Sequence, residues 1–123
     1  MTLRSLAVAT LLLVGAAAPA QADVTFRTPV AEAGNGGAVT CAAVNIGKKP
    51  IEVMRVAIIA PSGQMIVNDT CYGVHTGGFC FKSLGGPTID SCRITYEGSK
   101  KAVRGTLQVR DANGSSVLSL DAR

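Results

Sequence analysis

The chain has 123 residues, of which 12 are Lys or Arg and 8 are Asp or Glu, a net charge of +4, with four cysteines, two Tyr, three Phe and no Trp. That length holds one domain, and the few aromatic residues foretell a modest core. The charge excess is small and lacks any aromatic platform or basic motif, so nucleic-acid binding is not expected.

The first segment reads as an export leader. Arg4 supplies the positive charge, Leu6 to Ala18 forms an apolar run, and Ala20-Gln21-Ala22 offers the small-x-small pattern cut by signal peptidase. The run is shorter than the ~20 residues needed to span a bilayer. A signal peptide over 1–22 and a single mature domain over 23–123 follow, with a net charge of +3 once Arg4 is gone. No cysteine stands at the new N-terminus to carry a lipid. No later stretch is long enough for a membrane helix, since Val53 to Ala60 is interrupted by Arg55. An exported protein, periplasmic or extracellular, without membrane insertion, is the expectation, and there cysteines pair.

The mature chain reads as strands and turns. Asp23 to Val30 is a first strand, ended by the Ala/Gly-rich stretch Ala31 to Gly37. Ala38 to Ile46 follows, apolar on both parities (Val39, Cys41 and Ala43 against Ala42, Val44 and Ile46), as in a strand near a sheet centre. Gly47-Lys48-Lys49-Pro50 turns into Ile51 to Ala60, which is rich in β-branched residues. Arg55 there shares a parity with Ile51, Val53 and Ile59, a conflict that a bulge would resolve. Pro61-Ser62-Gly63 leads to a strand over Gln64 to Asn68. Asp69 to Thr88, with five glycines, reads as irregular except for a short strand over Phe79 to Leu84. Ser91 to Glu97 alternates cleanly with Cys92, Ile94 and Tyr96 inward, and Ala102 to Asp111 does so with Val103, Leu107 and Val109 inward. Asp111 to Ser115, containing Asn113-Gly114, turns into a last strand over Val117 to Leu120. No segment shows sustained helical periodicity. About seven short strands predict an all-β antiparallel β-sandwich.

Cys41, Cys71, Cys80 and Cys92 permit three pairings, and their separations of 30, 9 and 12 positions do not match the close pairs of a zinc site. Cys71 with Cys80 closes a local Gly-rich segment, and Cys41 with Cys92 then ties two distant strands through the core, an arrangement analogous to immunoglobulin-like topology. The rival pairs Cys41 with Cys71 and Cys80 with Cys92.

Catalytic groupings are missing from the pattern. There is no G-x-S-x-G elbow, no phosphate-binding glycine loop followed by Lys-Ser/Thr, and the eight acids are scattered, so an enzyme is not expected. Asn68-Asp69-Thr70 and Asn113-Gly114-Ser115 match the glycosylation sequon and read as turns. The segment from Cys71 to Cys80 is the candidate binding loop, because a disulfide-closed loop loses little entropy on docking, and Tyr72, His75 and Phe79 supply its contact side chains. The other reading of that segment is a stapled connection between sheets. A metal (Cu or Zn) or small-ligand protein built on His75, with Met54 and Met65 as sulfur donors, is the alternative, although Met inside strands ordinarily fills core gaps.

Cys-Ala-Ala-Val-Asn (41–45), the cysteine pair around a Gly-containing turn, Cys-Arg-Ile-Thr-Tyr-Glu-Gly (92–98) and Val-Arg-Gly-Thr-Leu-Gln-Val (103–109) together resemble a loose group of small exported bacterial Cys-containing β-proteins of unassigned function. The likeness spans most of the mature chain and rests on core strands and bridges. It implies a secreted bacterial setting and transfers no active-site residue. The resulting expectation is a monomeric, non-catalytic module, protein-binding or structural, with no cofactor and a protein partner in the envelope or medium.

Overall fold

The computed structural model describes residues 23–123, and the leader read over 1–22 lies outside them. Nine strands make up the described secondary structure: β1 (Asp23–Arg27), β2 (Ala31–Ala33), β3 (Ala38–Asn45), β4 (Ile51–Ile59), β5 (Met65–Val74), β6 (Phe79–Gly85), β7 (Thr88–Glu97), β8 (Val103–Arg110) and β9 (Ser116–Asp121). They form two antiparallel sheets. One has the order β1-β7-β4-β5 with β2 also paired to β7, and the other has the order β6-β3-β8-β9. The molecule is an all-β sandwich. No described helix is long and apolar enough to cross a membrane.

Alternation places the core. Val39, Cys41 and Ala43 of β3, Cys92, Ile94 and Tyr96 of β7, and Val103, Leu107 and Val109 of β8 are all buried and meet between the sheets. The inward face of β4 is Met54, Val56 and Ile58. Arg55 therefore points outward with Val53 and Ala57, and most of β4 has the parity opposite to the one on which Ile51 lies. A register shift does occur, between Ile58 and Ile59 where β4 meets β5. The Tyr96 hydroxyl escapes the core by donating to the Ser99 carbonyl at 2.6 Å, and burial pushes its pKa upward.

Both predicted bridges are present: Cys41–Cys92 joins β3 and β7, inner strands of the two sheets, and Cys71–Cys80 joins the edge strands β5 and β6. The pairing of Cys41 with Cys71 is thereby excluded.

Four departures from the sequence reading exceed one residue. The first strand stops at Arg27, where Thr28 accepts from the Cys92 amide and donates to the Pro29 carbonyl. Ala31 and Ala33 then form a short strand with both alanines buried and Glu32 exposed. The fourth strand runs on to Val74, so Asn68-Asp69-Thr70 is strand and not turn. Its far end contains Gly73 at φ +58°, the left-handed region, and there the alternation slips: Cys71 and Val74, three residues apart, pair with the buried Met54 and Ile51. Finally, β7 starts at Thr88, with Asp90 buried and taking a hydrogen bond from the Thr88 hydroxyl while Ile89 is exposed.

Close approach of the sheets explains one glycine. A Cβ on Gly105 of β8 would collide with Ile94 Cδ1 of β7 and stand 3.1 Å from the Ala122 Cβ. Gly105→Ala is therefore expected to lower unfolding free energy by about 1–3 kcal/mol through overpacking, as read by urea denaturation. A loss under ~0.5 kcal/mol would mean that Ile94 has room to turn away.

Candidate functional site

The Cys71–Cys80 segment is where the chain crosses from one sheet to the other. β5 ends at Val74, a turn over His75 to Gly78 closes with the Gly78 amide on the His75 carbonyl at 2.8 Å, and β6 begins at Phe79. This turn is docked on the neighbouring β3–β4 turn. The Gly77 amide reaches the Asn45 carbonyl at 2.7 Å, the Asn45 amide reaches the Gly78 carbonyl at 2.9 Å, and the Thr76 hydroxyl donates to the Gly47 carbonyl at 2.7 Å. Asn45 is fully buried, and its side chain donates to the carbonyls of Val74 and Lys49 and accepts from the Gly47 amide, each at 2.9 Å. One buried amide thus welds two turns.

That frame fixes where the three sequence-selected side chains go. Cys71 and Cys80 turn toward each other between the sheets, so Tyr72 and Phe79, their neighbours, leave the sandwich on opposite outer faces. Tyr72 is 75% exposed on the outer side of β5 and Phe79 is 64% exposed on the outer side of β6. His75 is exposed in the turn between them. The loop does not gather the three into one contact surface.

Phe79 instead meets Phe81, the next outward residue of β6, with ring centroids 5.7 Å apart. Phe81 was not selected from the sequence, although Phe-Cys-Phe around an inward cysteine carried the signal. Both rings lie on the outer face beside β3, where Phe79 pairs with Val44 and Phe81 with Ala42. A shallow groove of ≈ 440 Å³ runs along this face between Phe79, Phe81 and Arg110. Among the described residues β6 is the end strand of its sheet and pairs only with β3, which leaves its other edge without a strand partner there.

The metal-ligand set is not assembled. Met54 is fully buried under β4, Met65 is half-exposed on the outer side of β5, and His75 is in the turn beyond Val74. Asp69, Cys71 and Cys80 do come within ligand distance of one another, but the two sulfurs are bonded to each other and offer no thiolate.

Set against known protein families, curated proteins and solved structures, the chain matches none of them.

Proposed function

We propose that the protein is an exported, non-catalytic protein-binding module whose contact surface is the Phe79–Phe81 strip on the β6 edge. The observation that carries this reading is the ring pair: two neighbouring phenylalanines, 64% and 50% exposed, on an end strand whose outer backbone edge is unpaired. Exposed aromatic anchors beside a free strand edge suit a partner that adds an extended segment to the sheet, with backbone hydrogen bonds for affinity and the rings for selectivity. The Cys71–Cys80 staple supports it by holding the edge in its bound form beforehand, which lowers the entropic cost of docking. Export to the periplasm or medium is supported by the leader pattern and by two disulfides, which persist in an oxidising compartment. The likeness to small exported bacterial proteins agrees with the same setting.

Photo-crosslinking from position 81 in envelope and culture extracts tests the reading, with position 72 on the outer face of the other sheet as control. A discrete partner should be captured from position 81, and Phe79→Ser/Phe81→Ser should weaken its binding by roughly 100-fold, in line with loss of two anchors. The variant should stay folded, because both rings are at least half in water. Tyr72→Ser, on the other face, should leave binding intact. Binding that survives the double change but not Tyr72→Ser would move the site to β5 and end this assignment.

A further inference from the structure

The outer face of the other sheet carries a different chemistry. Arg27 of β1 pairs directly with Arg93 of β7, and Arg93 pairs with Ala57 of β4, two residues from Arg55. The three guanidinium-bearing side chains thus surround the small Ala57, which leaves a shallow depression of ≈ 550 Å³ between them. Like charges directly opposed across strands cost stability, and no acidic side chain lines this depression to relieve it. Its remaining wall is uncharged: Thr25, Thr70, Thr95 and Asn68 are polar, and Met65 adds one apolar side chain. The acids Asp23 and Glu97 stand one row further along the strands, in the adjoining depression that Arg55 also borders, and they mark the limit of the positive field.

We propose that this face binds the phosphate or sulfate ester groups of an anionic glycan. Guanidinium groups present planar paired donors that fit tetrahedral oxyanions, and three of them around one depression that no acidic side chain lines are the complement of such a group. The hydroxyls and the Asn68 amide are neutral donors and acceptors of the kind that bond sugar hydroxyls. A bare phosphate ion would use the arginines and leave this wall idle. An open, shallow basin also suits a saccharide chain lying across the strands better than an enclosed small ligand. The site is on the opposite face from the Phe79–Phe81 strip, so it stands or falls independently of the protein-binding reading.

The experiment is a titration of the isotopically labelled protein with a heparin tetrasaccharide, mannose 6-phosphate, the unsubstituted sugars and inorganic phosphate, followed by amide shifts. Saturable shifts at Arg55, Ala57, Arg93 and Thr95 are expected with the sulfated or the phosphorylated sugar, and the stronger of these two arms identifies the ester. Arg55→Gln and Arg93→Gln should each weaken binding roughly tenfold, whereas Lys100→Gln/Lys101→Gln, in the β7–β8 turn, should not. Unaltered thermal midpoints will show that the surface variants remain folded. Three results overturn the proposal: no saturable shift by about 10 mM, equal weakening by the lysine control, or inorganic phosphate binding as tightly as the sugar esters.

Discussion

Replacing Cys41 and Cys92 together with alanine is expected to lower unfolding free energy by about 4 kcal/mol, against about 2.5 kcal/mol for the Cys71→Ala/Cys80→Ala pair, when both are measured by urea denaturation. The order follows from loop length, because the first bridge closes a sequence separation of 51 and the second one of 9. Burial adds to the difference. Cys41 and Cys92 are fully enclosed and pack within the central cluster, so truncation also removes core contacts, while Cys71 is only half-buried at the edge. Loss of both bridges would take about 6–7 kcal/mol from a domain whose whole stability should lie in the range of about 5–15 kcal/mol, leaving it largely unfolded. If the edge pair proves the more costly, then the corner between β5 and β6, and not the central strands, is what holds the two sheets together.

The core strands were readable because their alternation is uninterrupted. Cys92, Ile94 and Tyr96, or Val103, Leu107 and Val109, can face only one way. Legibility failed where local chemistry inverts the pattern. Asp90 is inside and Ile89 outside, so the alternation of β7 stopped being visible at Ser91 and the three residues from Thr88 were lost. Gly73 permits a slip in parity that no periodic template includes, and β5 was cut short by six residues, from Val74 back to Asn68. Asn45 lies on the same parity as Val39, Cys41 and Ala43, so its inward position was implied by the pattern, yet a polar residue there reads naturally as the end of the strand.

Candidate surfaces needed more than one strand to become visible. Tyr72, His75 and Phe79 were grouped by chain proximity within a disulfide loop, whereas pairing of inward cysteines sends the two aromatic side chains to opposite faces. Arg55 conflicts with the parity of Ile51 and Val53 in its own strand, and that conflict, with Arg93 on the outward parity of Ser91 to Glu97, is the sequence signal of the outer arginine cluster. Its partners Arg27 and Arg93 come from strands 28 and 38 positions away and are brought alongside only by the register. Spacing along a chain cannot show such neighbours.

Asn45→Ala is expected to cost about 2–4 kcal/mol, a large loss for a change of one amide. Removing the side chain strands the carbonyls of Val74 and Lys49, while the Gly47 amide keeps its bond to the Ala102 carbonyl at 3.1 Å, and the Val74 bond is fully buried where water cannot replace it. Each buried group left unpaired costs about 1–3 kcal/mol, with the partly accessible Lys49 carbonyl at the lower end. Asn45→Asp should be worse than alanine at neutral pH. It keeps the acceptor for Gly47 but aims a carboxylate at two carbonyl oxygens in a dry site, so the folded-state pKa must rise above the unfolded value of about 4. The sign follows: the folded form holds the proton more tightly, so this variant gains stability as pH falls toward about 4 and loses it as pH rises. Hydrogen exchange gives the second readout. Because the same residue welds the β3–β4 and β5–β6 turns, the amides of Gly47, Gly77 and Gly78 should lose protection together, with the turn at Asp111 to Ser115, held by its own Asp111 carboxylate, unchanged. A cost below ~1 kcal/mol, or loosening of one turn alone, would show that the two corners are held separately.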